Sequence, residues 1–144
     1  MAVETGAVQD VIHAPVDKIV DALLDFESHP DWQGHIRSSR VLERDGEGRG
    51  VLVEEEIDAK VRRVRIVCRY TYDLPHRLEW HQVEGDLRSI SCAYTFTPRP
   101  DGTTLVAVDL RFEVGFFVPG PVKKVIRDQA LRTSLRELRG RVEG

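Results

Sequence analysis

The hydrophobic positions of this chain follow two rhythms. Between Pro15 and Phe26, the apolar residues Val16, Ile19, Val20, Leu23 and Phe26 recur at helical spacing, with Asp17, Lys18, Asp21 and Asp25 opposite them. That is the pattern of an amphipathic helix. Pro15 suits the first helical position, where its missing N–H would have no partner anyway, and Asp17 complements the helix dipole. Ser28-His29-Pro30 ends the helix, because a residue before proline avoids the helical conformation. Pro30-Asp31-Trp32 restarts a short helical turn. Ahead of this pair, Val3 to Ala14 alternates weakly, with Val8, Asp10 and Ile12 on one face, and reads as a strand.

From Ile36 the period becomes two. Ile36 to Glu43 and Val51 to Asp58 flank a glycine-rich turn, and the second places Val51, Val53, Glu55 and Ile57 on one face. Val61 to Asp73 alternates most clearly, with Val64, Ile66, Cys68, Tyr70 and Tyr72 against Arg63, Arg65 and Arg69. Leu78 to Val83 carries Trp80, Arg88 to Thr97 aligns Ile90, Cys92, Tyr94 and Phe96, and Thr103 to Val114 aligns Val106, Val108, Leu110 and Phe112. Loops this short predict an antiparallel meander of six strands, since parallel neighbours need long crossovers. The arginines of one face, with Asp109, Arg111 and Glu113, leave that face to water.

A last helix is predicted from Pro121 to about Val142. Its stripe shifts: Val122, Val125 and Ile126 define one face, while Leu131, Leu135, Leu138 and Val142 fall almost opposite at 100° per residue. Either the helix bends near Gln129–Leu131, or its two halves cover different surfaces.

The 144 residues suit one domain, expected over 1–144. No apolar run approaches the roughly 20 residues of a membrane span. The acidic opening MAVETGAVQD lacks the blocks of a signal peptide, and Cys68 and Cys92 have neither metal-ligand nor redox spacing. A cytoplasmic protein, monomer or homodimer, is the expectation. The net charge of −3 hides an asymmetry. From Val118 onward there are seven basic residues (Lys123, Lys124, Arg127, Arg132, Arg136, Arg139, Arg141) and three acids, a balance of +4 on a body of −7. Such a helix is either a solvated face or a surface for an anionic partner.

The segment from Ile12-His13-Ala14-Pro15 through Leu24-Asp25-Phe26 to Pro30-Asp31-Trp32 resembles the opening of the START-like superfamily. This is the polyketide cyclase/dehydrase and lipid-transport (SRPBCC, Bet v 1-like) group, and the coenzyme Q-binding branch is the nearest likeness within it. The order of elements extends the resemblance over nearly the whole chain. It implies an α+β helix-grip fold, a curved antiparallel sheet of about seven strands around the long C-terminal helix, with an apolar cavity between. Relatives include polyketide aromatase/cyclases, coenzyme Q-binding proteins and a ribosome-association toxin. No catalytic motif of theirs matches here residue by residue.

The expected function is binding or transport of a hydrophobic small molecule, a lipid, quinone or polyketide-like compound, without a cofactor. The expected ligand-binding residues are Trp32, Tyr70, Tyr72, Trp80, Tyr94, Phe96, Phe112, Val122 and Ile126, with Phe116 and Phe117 at the mouth. The same rings could equally fill a core, and Trp32 could anchor the helix pair. Glu55 is the candidate catalytic residue: burial among Val51, Val53 and Ile57 disfavours a free charge and would fit it for proton transfer. A solvated edge position or an internal arginine partner is the alternative. Asp10 is a weaker candidate on the same ground. The five histidines lack metal-ligand spacing, so no metal is expected, and both cysteines read as core. A polyketide cyclase/dehydratase, and a ribosome- or RNA-interacting protein using the basic helix, are the other functions in view.

Overall fold

The computed structural model describes residues 3–143, so residues 1, 2 and 144 of the expected domain lie outside the described residues. Seven strands, β1 (Glu4–Ile12), β2 (Ile36–Arg44), β3 (Gly50–Asp58), β4 (Arg63–Asp73), β5 (Arg77–Gly85), β6 (Ser89–Pro98) and β7 (Thr104–Glu113), form one antiparallel sheet. Its order is β1-β7-β6-β5-β4-β3-β2. The six later strands are the meander that their short loops require. β1 completes the sheet by pairing with β7, Gly6 opposite Leu110 and Val8 opposite Val108. The outer face is a lattice of ion pairs, Arg63 to Glu56, Arg65 to Glu54 and Arg69 to Glu43.

Helix α1 (Val16–Leu24) and the single turn α2 (His29–Trp32) sit between β1 and β2, joined by a tight turn at Phe26–Ser28. Ile19, Val20 and Leu23 are the buried stripe of α1. Pro15 does not occupy the first helical position. It is the N-cap, extended at φ −72° and ψ 161°, and the helix proper begins one residue later.

The C-terminal helix α3 (Gly120–Glu143) covers the inner face, packing chiefly on β1. Gly6 permits this approach: a Cβ built there would stand 2.5 Å from Leu131 Cδ1. The shifted stripe resolves into two surfaces. Leu131, Leu135, Leu138 and Val142 enter the main core with Ile12, Ile19, Leu23 and Phe96. Val122 and Ile126 lie instead on a second cluster of Phe112, Val114 and Val118. Val125 belongs to neither and is 57% exposed.

Candidate functional site

A chamber of about 100 Å³ lies between the inner face of the sheet, the α1–α2 corner and the middle of α3. Two cross-strand rows build its wall. Tyr70, Trp80, Cys92 and Leu110 stand opposite one another in register across β4, β5, β6 and β7, and Leu78, Tyr94 and Val108 form the next row. Alternation puts every second side chain of these strands inside, and register aligns the large ones. A cleft of about 340 Å³ between α3 and the β3–β4 loop shares His35, Ile57 and Ala130 with the chamber.

The polar groups of the chamber gather at one side. Glu55 and His29, 8% and 4% exposed, are buried together, with His29 Nδ1 3.0 Å from Glu55 Oε2. His29 Nε2 lies 2.8 Å from the carbonyl oxygen of Leu23. That oxygen can only accept, so Nε2 carries a hydrogen. The Nδ1···Oε2 contact must then hold a second proton, either as imidazolium and carboxylate or as neutral imidazole and carboxylic acid. Without that proton a nitrogen lone pair would face a carboxylate. Ser39 Oγ also donates to Oε2 at 2.9 Å, so both contacts fall on one oxygen of the carboxyl, and Glu55 lines the chamber. The imidazole is held by rings on two sides, Phe26 at 5.2 Å and Trp32 at 5.6 Å between centroids.

The hydroxyls of Tyr70 and Tyr94 make no hydrogen bond among the described residues. Burial pushes the titration of Tyr70 well above the usual phenol range, with the nearby charge of Glu55 acting in the same sense. For Tyr94 burial again leads, followed by Cys92 and Glu55. Both therefore remain O–H donors. His35, on the walls of chamber and cleft alike, is held below the ordinary value of 6.5 by burial, although Glu137 and Glu55 pull the other way. Glu137, across the cleft, accepts the Gly34 N–H on Oε2 at 2.9 Å. Its Oε1 is buried without a partner.

The expected ligand-binding residues separate into groups. Tyr70, Trp80 and Tyr94 line the chamber, and Ile126 lines the cleft. Phe96 is core, 2% exposed and stacked on Tyr94. Trp32 packs against the core and against His29, its Nε1 buried without a partner. Tyr72 donates its hydroxyl to the Gly50 carbonyl and lies under the Arg49 guanidinium. Phe112 and Val122 belong to the second cluster, Phe116 packs there beneath Arg62, and Phe117 is 88% exposed. Asp10 pairs at the surface with Arg139 at 2.6 Å. Neither the solvated edge nor an arginine accounts for Glu55; its partners are His29 and Ser39, and His29 enters the sequence pattern only as a helix breaker and as one of five histidines without metal-ligand spacing. Its spacing in Phe26-x-x-His29-x-x-Trp32, three ring residues at i, i+3 and i+6, was the available signal. Cys68 and Cys92 are buried free thiols. No cluster of three or more His, Cys, Asp or Glu stands ready for a metal among the described residues.

Residues 12–139 match the family model described as polyketide cyclase / dehydrase and lipid transport. No curated protein matches the chain by sequence. Among solved structures, a START superfamily protein from Mycobacterium smegmatis superposes with a TM-score of 0.87 at 24% identity, over 96% of this chain and 97% of that one. The Zhui aromatase/cyclase from Streptomyces sp. R1128 superposes with a TM-score of 0.83 at 15% identity, over 99% and 94%. The di-domain aromatase/cyclase StfQ of the steffimycin biosynthetic pathway gives 0.71 at 16% identity, over 96% of this chain and 44% of that one. At these identities the likeness is one of fold.

Proposed function

The chain belongs to the polyketide cyclase / dehydrase and lipid transport family, and from that premise we propose that it binds and carries a small apolar molecule bearing oxygen functions. One observation carries this reading: a chamber walled by Tyr70, Leu78, Trp80 and Tyr94 and lined also by Glu55, with the two phenol hydroxyls and Glu55 Oε1 free of hydrogen bonds among the described residues. Fixed donors on an apolar wall are how such pockets orient a ligand. The chamber alone admits a fragment of about one ring, well below the roughly 300–1,000 Å³ usual for ligand pockets. The ligand therefore extends past His35 into the adjoining cleft, which Glu137 also lines. Quinones, polyketide-like phenols and oxygenated lipids all fit this description. A cytoplasmic setting is proposed with it, in keeping with two unpaired thiols.

The test is native mass spectrometry of protein purified gently from its host, followed by extraction of anything bound. An oxygenated apolar adduct, lost on Tyr94→Ala, is expected. A protein that arrives empty and takes up no apolar fluorescent probe would end the reading and leave the rings as core.

The His29–Glu55 pair favours a second reading, a cyclase or dehydratase. Glu55 would take a proton from a carbon next to a ketone, while a tyrosine O–H bonds the carbonyl oxygen that becomes the enolate. Glu55→Gln separates the two readings. Carriage survives it; turnover of a poly-β-ketone does not.

A further inference from the structure

The cations of this chain are sorted by place. Most of those on the outer sheet face are held by neighbouring carboxylates, whereas ten of the 21 lysines and arginines, Lys60, Arg62, Lys123 and Lys124 among them, enter no ion pair among the described residues. These four of the ten converge at one end of the molecule. Lys60 and Arg62 lie on the β3–β4 loop, and the Arg62 guanidinium sits 4.8 Å from the ring centre of Phe116, in the segment that leads into α3. Lys123 and Lys124 follow in the first turns of that helix. Two acids close to them in sequence are already engaged, Asp58 by Arg37 and Asp128 by Arg127.

Apolar side chains stand in water among these cations. Phe117 is 88% exposed, Val125 57% and Val61 47%. They are three of the six large hydrophobic residues exposed among the described residues, and Phe117 is the one aromatic. A single exposed valine needs no explanation. Three beside four unpaired cations, on two loops that touch and the helix that follows, combine the two attractions of an interfacial anchor.

We propose that this end of the molecule docks on an anionic lipid surface. Phe117 and Val61 enter the headgroup–acyl boundary, and Lys60, Arg62, Lys123 and Lys124 meet the phosphates. Nucleic acid is the poorer fit, because it rewards the cations but leaves the valines in water, and one aromatic ring makes no stacking platform. Lys60 and Ile126 also line the cleft, so docking turns the cleft toward the lipid.

The test is flotation of the full chain with vesicles of phosphatidylcholine alone, and with vesicles one third phosphatidylglycerol. Binding is expected to the anionic vesicles only, and to weaken as salt is raised. Arg62→Ala and Lys124→Ala should each weaken it about fivefold, and Phe117→Ser by about tenfold or more. Lys18→Ala and Arg99→Ala, which remove exposed cations from elsewhere, should leave it unchanged. All five positions are exposed, so circular dichroism should report one fold throughout. Failure to float, equal binding to neutral vesicles, indifference to Phe117→Ser, or equal losses from the two control variants would each overturn the proposal. So would capture by RNA with vesicles left unbound.

Discussion

The imidazole Nδ1 of His29 lies 3.0 Å from Oε2 of Glu55, and neither side chain is more than 10% exposed. His29 keeps its Leu23 carbonyl and Glu55 its Ser39 hydroxyl, but removing the Glu55 carboxyl leaves the buried Nδ1 of His29 without a partner. Glu55→Ala should cost about 1–3 kcal/mol, the usual penalty for a buried polar group left unpaired. Glu55→Gln should cost less, because its amide can donate to Nδ1. Urea denaturation of the two variants checks the order.

His35 gives the fold a dependence on mildly acidic pH. Burial holds its folded-state value below 6.5, so the unfolded chain takes up the proton first as pH falls. Stability is then constant above the unfolded value and declines below it, as linkage requires when the unfolded state binds more protons. His35→Gln should flatten the stability profile in the window just below pH 6.5. The carboxylates whose values are lowered, Glu54, Asp58 and Asp101, act only further down, below their ordinary 4.5 and 3.8. Melting temperatures across that range separate the two contributions.

The thiol of Cys68 should be inert in the native protein. Burial first, and the charge of Glu55 second, push it from 9.0 to about 12. Thiolate, the reactive form, is then scarce at any ordinary pH. Iodoacetamide at mildly alkaline pH should label neither cysteine until denaturant is added. Rapid labelling of the folded protein would contradict the packing around β4.

The two surfaces covered by α3 predict opposite outcomes along one helix. Leu138 is fully buried, and Leu138→Ala should cost about 2–5 kcal/mol. Val125 is 57% exposed, and Val125→Ala should change stability by no more than about 0.5 kcal/mol. Chemical denaturation reads both.

The two periodicities of the chain determined its helices, its meander of strands and which side chains face inward. Tyr70, Trp80 and Tyr94 were visible as inward residues, and Glu55 as a carboxyl on an apolar face, because alternation is fixed by each strand's own backbone. Partners were decided only by the tertiary structure. The pairing of β1 with β7, the meeting of His29 with Glu55 across 26 residues, and the proximity of Arg62 to Phe116 all join parts of the chain that no local period connects. The division of the aromatic rings followed the same logic. Phe96, Phe112 and Tyr94 share the inward alternation, yet one is core, one belongs to a second cluster and one opens on the chamber. Alternation chooses a face of the sheet. What fills the space above that face depends on where α3 crosses it, and that is set by packing at Gly6 and Leu131.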